Sequence, residues 1–205
     1  MKKYGSDYRK KEDGYEYTGE WYCSRLSPEQ LSKEAVHCFV LLAPATALFL
    51  AGLSFDNAAG RIFWILMPYV SMIFPLAYGW MGSAVLYEFC RKQKAGKAVR
   101  SDVRGRADSN VFISEEQKGK MVRSEYEKGI RRPWRCAAAM VILSSLTLGT
   151  DIWMLYRHTS EMVPTREICF AGITFGIFLH GVLLMRQCGK IKRDFVHDCA
   201  KKRNI

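Results

Sequence analysis

Four long apolar stretches, separated by polar segments, constrain the fold of this chain more than any other feature. Each is close to or above the ~20 residues that a helix needs to cross a hydrocarbon core of ~30 Å. A segment in lipid must satisfy its own backbone hydrogen bonds, so such stretches predict membrane-spanning α-helices. The sequence predicts an all-α, polytopic membrane protein, with two helical hairpins. The predicted spans are residues 35–53, 62–87, 136–156 and 168–185.

Basic residues are concentrated in three of the polar segments. Lys and Arg number 7 in the arm 1–34, 14 in the loop 88–135 and 7 in the tail 186–205, but only 1 and 2 in the two hairpin connections. Short segments rich in Lys and Arg stay on the cytoplasmic side of a membrane. The pattern therefore predicts that both termini and the central loop face the cytoplasm, and it favours the cytoplasmic membrane of a bacterium.

The net charge of +11 follows from this distribution. Nucleic-acid binding would require a folded basic domain with interleaved aromatic residues, and the sequence contains no such pattern. Basic residues beside a membrane gain roughly 1 kcal/mol each from anionic lipid. We therefore expect the bilayer and its anionic inner-leaflet lipids as partners, together with a second copy of the chain or another membrane protein, and no nucleic acid.

A capping pattern precedes the first apolar stretch. Ser27 is a favoured N-cap residue, Pro28 suits the first helical position, and Gln30 completes a capping box. Leu26 and Leu31 have the spacing of a hydrophobic staple around this cap. The first helix is therefore predicted to begin near Pro28, before the apolar stretch itself.

The basic loop contains a second predicted helix, over residues 115–132. Ser114 and Gln117 form its capping box. Its apolar stripe consists of Met121, Val122, Tyr126 and Ile130. Such a basic amphipathic helix can lie on a membrane or on a partner, and a solvated extension of the third span explains the pattern equally well. Pro133 predicts a kink at the junction with that span.

The second span contains Pro68 and Pro75, which predict a bend near each. In some transporters a broken helix exposes backbone carbonyls to an ion. Proline is also tolerated in ordinary membrane helices, because neighbouring groups satisfy the freed carbonyl. The second interpretation is simpler, so the prolines predict bends and no binding site.

Small residues recur at i+4 spacing in the spans, where they let helix backbones approach closely. The candidate packing residues are Gly79, Ser83, Gly172 and Gly176. The last two form a G-x-x-x-G pattern, for which packing within one chain and pairing between copies are both open.

Ionisable residues inside a membrane are costly and are candidates for function. His180 extends the glycine face of the fourth span, and Ser144, Thr147 and Asp151 form one polar face of the third. These four residues are candidates for binding or transport, or for structural roles inside the bundle. The estimated depths of His180 and Asp151 differ by roughly 13 Å, which excludes a direct hydrogen bond.

No motif in the sequence predicts a catalytic residue, a metal centre or a cofactor. The seven cysteines include no C-x-x-C pair. Of the histidines, His37 and His180 lie in predicted spans, but their depths differ by roughly 6 Å, a poor match for two ligands of one haem iron. The sequence therefore favours a protein that is not an enzyme and that carries no cofactor.

The arm YEYTGEWY, the short first hairpin and the stretch PYVSMIFPLAY of the second span resemble small, uncharacterised multi-pass membrane proteins of bacteria. The resemblance covers about the first 90 residues and implies a class of protein, with no catalytic positions. Our leading hypothesis is a non-enzymatic accessory or interaction subunit with a basic cytoplasmic face. The alternative is a small oligomeric transporter or channel that uses Asp151 or His180.

Overall fold

The computed structural model describes residues 8–11, 14–54, 63–94, 111–112, 120–157 and 164–197. Helices make up most of this part of the chain. In chain order the elements are β1 (Tyr8–Lys11), β2 (Gly14–Tyr17), β3 (Trp21–Ser24), α1 (Pro28–Leu53), α2 (Phe63–Ser71), α3 (Ile73–Lys94), β4 (Val111–Phe112), β5 (Met121–Val122), α4 (Arg123–Tyr126), a π-helical turn (Glu127–Arg131), α5 (Arg132–Arg157), α6 (Pro164–Asp194) and β6 (Phe195–His197).

Four helical stretches are long and apolar enough to cross a membrane, as the sequence predicts. They run over Pro28–Leu53, Phe63–Gln93, Arg123–Arg157 and Thr165–Asp194. Large apolar side chains cover their outer surface. Examples, one from each stretch, are Val40, Phe74, Ile142 and Leu179, which are 60, 64, 60 and 44% exposed. Such a surface is far more apolar than water-soluble proteins tolerate, and it suits hydrocarbon.

The four stretches form a bundle in which α1 packs against α3 and α6, and α5 packs against the same two helices. Each contributes fully buried side chains to one core, for example Leu42, Met72, Met140 and Ile177. We call the end of the bundle at Leu53, Phe63, Arg157 and Pro164 the hairpin end. The opposite end, where α1 begins and α6 ends, is called the terminal end.

The predicted start of α1 is confirmed in detail. The Gln30 N–H donates to Ser27 Oγ, and the Ser27 N–H donates to Gln30 Oε1, both at 3.3 Å. Pro28 is the first helical residue. Leu31 is fully buried and Leu26 packs against the same core, as a hydrophobic staple requires. These contacts are local in sequence, which is why the pattern was sufficient to predict them.

The second span is interrupted where one of its prolines predicts a bend. α2 ends at Ser71 and α3 begins at Ile73, with Met72 between them. The Met72 N–H donates to the carbonyl of Tyr69, three residues back, at 3.0 Å. Pro75 follows three residues later and has no N–H to continue the α-helical pattern. α2 continues through Pro68.

The predicted amphipathic helix over 115–132 requires a correction. Within the described residues the helix begins at Arg123, while Met121 and Val122 form β5; the predicted capping box of Ser114 and Gln117 lies outside the described residues. β5 pairs antiparallel with β3, and the Arg123 N–H donates to Tyr17 Oη at 3.1 Å. These partners are distant in sequence, so tertiary pairing overrides the local helical pattern.

From Arg123 the helix continues into the third span through the π-helical turn. The Arg132 N–H donates to the carbonyl of Glu127, five residues back. Pro133 follows directly, and its ring would clash with a carbonyl in ordinary α-helical register. The apolar stripe is nonetheless on the buried side, as predicted, because Val122, Tyr126 and Ile130 are only 3, 9 and 2% exposed.

Two small sheets correct the all-α prediction. One has the order β1-β2-β4, with β1 and β2 antiparallel and β2 and β4 parallel. The other has the order β5-β3-β6 and is antiparallel, so it joins the arm before α1, the loop before α4 and the tail after α6. The strands have 2–4 residues, too few for an alternating pattern to predict them.

Candidate functional site

A groove with a volume of about 870 Å³ lies at the terminal end. It runs along α6, with side chains of α1 and α5 on its two sides. We call it the basic groove and define it by the basic and aromatic residues that line it, which are His37, Trp134, Arg186, Lys190, Lys192 and Arg193. Apolar side chains line the part of the groove that faces the hairpin end.

An ion pair fixes one side of the basic groove. Lys190 Nζ lies 2.6 Å from Glu34 Oε1, so it ties α6 to α1. Gln187 donates from Nε2 to the Glu34 carboxylate, and it lies 3.4 Å from the Glu34 backbone carbonyl. The three side chains therefore hold α1 against α6 along one side of the groove.

The remaining cations of the groove are less constrained. Within the described part of the chain, neither Arg186 nor Arg193 pairs with a carboxylate, and both are exposed. Lys192 Nζ lies 4.8 Å from the centroid of the Trp134 ring, a cation–π contact. The indole in turn lies against Gly189, where an added Cβ would be 3.7 Å from Nε1. The groove thus presents a net positive charge beside an aromatic face.

Two buried carboxyl groups lie together near the hairpin end. Asp151 of α5 and Glu167 of α6 are 2 and 1% exposed, and their side chains lie within interaction distance of each other. Two ionised carboxylates side by side in an apolar interior repel each other, so the arrangement favours a proton on one of them. The pair is therefore a candidate proton-binding site inside the bundle.

Ser144 and Thr147 lie on the same face of α5 as Asp151 and are fully buried. Their hydroxyls do not face an open site. Ser144 donates to the carbonyl of Met140 at 2.6 Å, and Thr147 donates to that of Leu143 at 3.0 Å. Because both hydroxyls donate to carbonyls of their own helix, their hydrogen-bonding capacity is satisfied within an apolar interior.

His180 is half-buried, and its Nδ1 lies 2.8 Å from the carbonyl of Gly176 on the same helix. It lies 13 residues after Glu167, which corresponds to about 20 Å along α6. The distance from the carboxyl pair is thus larger than the sequence estimate. Neither the basic groove nor the second large pocket, between α3 and the start of the third span, is lined by His180 or Asp151.

The candidate packing glycines differ in what surrounds them. A Cβ added at Gly79 would lie 3.2 Å from Leu42 Cδ2, and one at Gly176 would lie 2.8 Å from Leu48 Cδ1. Both therefore allow close approach of α1. At Gly172 an added Cβ would meet nothing within 4 Å. Packing within one chain therefore does not use Gly172, whose face points away from the neighbouring helices; its use between copies stays a prediction.

Two residues of the bundle have larger roles in packing and charge than their sequence context indicates. Gly82 contacts Pro133, and an added Cβ would lie 2.9 Å from the Lys128 backbone carbonyl. Its neighbour Ser83, a predicted packing residue, is 1% exposed. Glu167 directly precedes the predicted span 168–185 and so reads as part of a connection. The roles of Gly82 and Glu167 are visible only once the helix that each residue contacts is known. For Glu167, an acidic residue beside an apolar stretch was a usable signal in the sequence.

Among the described residues, no group of three His, Cys, Asp or Glu side chains is placed to hold a metal ion. No family model matches the chain, and no curated protein or solved structure is significantly similar to it. The fold and the two sites define a class, a mostly helical protein with four helices able to cross a membrane, a basic groove at one end and a carboxyl pair near the other.

Proposed function

We propose that the protein is a non-enzymatic interaction subunit of a bacterial cytoplasmic membrane, with both termini and the loop 88–135 inside. One observation carries the proposal. Three polar segments that are far apart in sequence combine at the terminal end into the sheet β5-β3-β6, next to the basic groove. A chain that only needed to span a membrane would have no reason to order its polar segments in this way.

Aromatic packing orders the sheet on the bundle. Tyr22 of β3 stacks on Tyr126, with ring centroids 4.0 Å apart and planes 1° apart. Phe195 packs on Tyr126 at 5.9 Å, and His197 meets Tyr22 edge-on at 5.4 Å. Tyr126 and Phe195 are buried, so these contacts hold the sheet in place, and its exposed side chains are the ones available to a partner. The supported partners are a second copy of the chain or another membrane protein, held beside anionic lipid.

Accessibility labelling tests the orientation. The buried Cys90 is a poor probe, so the informative positions are the native Cys199 and cysteines introduced as Thr18→Cys and Thr159→Cys. A membrane-impermeant maleimide applied to intact cells should label Thr159→Cys but neither Cys199 nor Thr18→Cys. Labelling of Cys199 or Thr18→Cys without permeabilisation would overturn the proposed orientation.

Cross-linking in cells tests the interaction role. A photo-reactive amino acid at Thr18, exposed beside the sheet, should give one discrete cross-linked product. The double variant Tyr22→Ala/Tyr126→Ala should lose it, whereas Trp153→Ala, exposed near the hairpin end, should keep it. Absence of a discrete product with the natural face, or its persistence in the double variant, would contradict the proposed role.

A small transporter or channel is the second candidate, and the carboxyl pair is the observation that favours it. Ionisable groups inside a membrane are expensive and often lie on proton or ion paths. In proteoliposomes with an imposed pH gradient, a transporter of this kind would move protons, and Asp151→Asn would abolish the flux. The variant Ser145→Ala, on the exposed side of the same helix, is the matched control. Equal proton fluxes in vesicles with and without the protein would exclude this candidate.

A further inference from the structure

We propose that the basic groove is a binding site for an anionic membrane lipid, whose phosphate lies among Arg186, Lys190 and Arg193 and whose acyl chains follow Leu41 and Leu183. The inference deepens the proposed function, since it needs the terminal end to lie at the surface of a membrane. It does not need any protein partner. It assigns a defined ligand chemistry to the basic groove.

Charge complementarity is the first argument. Four permanent cations line the groove, Arg186, Lys190, Lys192 and Arg193. The acidic groups near them are Glu34, which is already bound by Lys190 and Gln187, and Asp194, whose charge also acts on Lys190. An excess of positive charge therefore remains, and two guanidinium groups lack a carboxylate partner within the described residues. Cationic side chains form charge-assisted hydrogen bonds with a phosphate.

The order of polar and apolar groups along the groove is the second argument. On α1, Leu41 lies one helical turn from His37 toward the hairpin end, and on α6 Leu183 lies three residues from Arg186 in the same direction. Both leucines line the groove. From the terminal end toward the hairpin end, each helix therefore presents a basic side chain and then, about 5 Å further on, an apolar one. A free phosphate ion would make no favourable contact with that apolar wall, whereas an amphiphile matches both the basic and the apolar section of the groove.

The geometry of the groove is the third argument. Trp134 packs against Gly189 and accepts the Lys192 cation on its ring, so one side is aromatic. Tryptophan in such a place is typical of the membrane interface. The volume of about 870 Å³ is in the range of ligand sites. The Glu34–Lys190 pair holds the opposite side, so the groove exists before a lipid enters and binding requires little ordering.

Native mass spectrometry of the purified full chain tests the assignment. The chain, delipidated in mild detergent, receives equal amounts of dioleoyl phosphatidylglycerol and dioleoyl phosphatidylcholine. We expect phosphatidylglycerol to be retained about tenfold more strongly, equivalent to about 1.4 kcal/mol. The variant Arg186→Gln/Arg193→Gln should reduce this preference to near parity. The variant Arg186→Lys/Arg193→Lys should retain most of it, because the charge is kept.

The matched control is Arg91→Gln/Arg135→Gln, which removes two exposed arginines of the terminal end outside the groove. It should keep the preference. An equal loss in the control would mean general surface charge and would overturn the site. So would an unchanged preference in the groove variant, or a loss in the lysine variant while its helix content by circular dichroism is unchanged.

A second arm separates lipid from free phosphate. Excess inorganic phosphate should leave the bound phosphatidylglycerol in place, because it makes no contact with the apolar wall. Displacement by phosphate would overturn the lipid assignment in favour of a soluble anion. Failure of the cross-linking experiment would leave these results standing, since they use the purified chain alone; failure here would leave the proposed protein interaction untouched.

Discussion

The two ends of the bundle are stabilised by different means. At the terminal end, strand pairing, aromatic stacking and the Glu34–Lys190 ion pair connect segments that are far apart in sequence. Near the hairpin end, the described polar contacts include the Asp151–Glu167 pair and the Tyr69 hydroxyl, which donates to the Phe49 carbonyl at 2.9 Å. The contacts at the terminal end are partly exposed and involve several segments of the chain, whereas those near the hairpin end are buried and involve few residues of the described part.

The two kinds of contact have different energetic consequences for the two ends. A buried polar contact is expensive to leave unmade, so a small site near the hairpin end can hold two helices in one register. Exposed contacts at the terminal end contribute little individually, so several are needed to order the strands. The result is a surface that is folded yet accessible, which is the property that an interaction face requires.

The largest expected effect comes from close packing beside the terminal end. Gly82→Ala should lower the free energy of unfolding by about 3 kcal/mol, because the new methyl group meets Pro133 and a backbone carbonyl that cannot move easily. Gly172→Ala has open space around it and should change the free energy by less than about 0.5 kcal/mol. Thermal unfolding in detergent checks both, and equal melting temperatures would contradict the packing at Gly82.

The next effect concerns the buried pair near the hairpin end. Asp151→Ala should cost about 2 kcal/mol, since it leaves the Glu167 carboxyl buried without this partner. Asp151→Asn keeps a hydrogen-bond donor toward Glu167 and should cost clearly less. The same unfolding measurement compares them. If alanine and asparagine were equally harmful, or equally harmless, the contact between Asp151 and Glu167 would not be stabilising.

A smaller effect is expected at the cap of α1. Ser27→Ala removes the acceptor for the Gln30 N–H and should cost about 1 kcal/mol. Amide hydrogen exchange should accelerate in the first turn of α1, with little change at the hairpin end. Ser145→Ala, whose hydroxyl is exposed and bonds within its own helix, serves as control. Uniform acceleration over the whole chain would mean that the terminal end does not unfold separately.

The smallest effect is a dependence on pH at the sheet. Burial, followed by the hydrogen bond to Glu20, raises the pKa of Tyr22 from 10.0 to about 12. The folded state therefore holds a proton that the unfolded state releases first, so this contribution is complete below pH 10 and is lost as the pH rises toward 12. In tyrosinate absorbance, Tyr22→Phe should have one late-titrating tyrosine fewer than the natural chain. If Tyr22→Phe instead removed a tyrosine that titrates near its ordinary pKa, the result would contradict the hydrogen bond between Tyr22 and Glu20.

Local patterns predicted the elements that depend on neighbours in sequence. The cap at Ser27 and Pro28, the four apolar helices and the interruption before Pro75 all follow from residues a few positions apart. The buried side of the segment around Tyr126 was also predictable, because it follows from helical periodicity. The strand at Met121 was not, since a two-residue strand exists only through its partner.

The candidate sites were only partly predictable for the same reason. Asp151 is conspicuous as a charge in an apolar stretch, but its partner Glu167 is separated from it by the hairpin connection. The basic groove combines residues of α1, α5 and α6. Each of its cations looks like an ordinary basic residue beside a span, and none has a spacing that indicates a site.

By itself, the sequence determined that this chain forms four apolar helices with basic segments at one end, because hydrophobic length and charge are properties of contiguous residues. Only the tertiary structure decided that the three basic segments join in one sheet, that Gly82 and not Gly172 is tightly packed, and that Asp151 meets Glu167. Each of these depends on which surfaces of distant segments come together, and that choice is made by packing of the whole bundle.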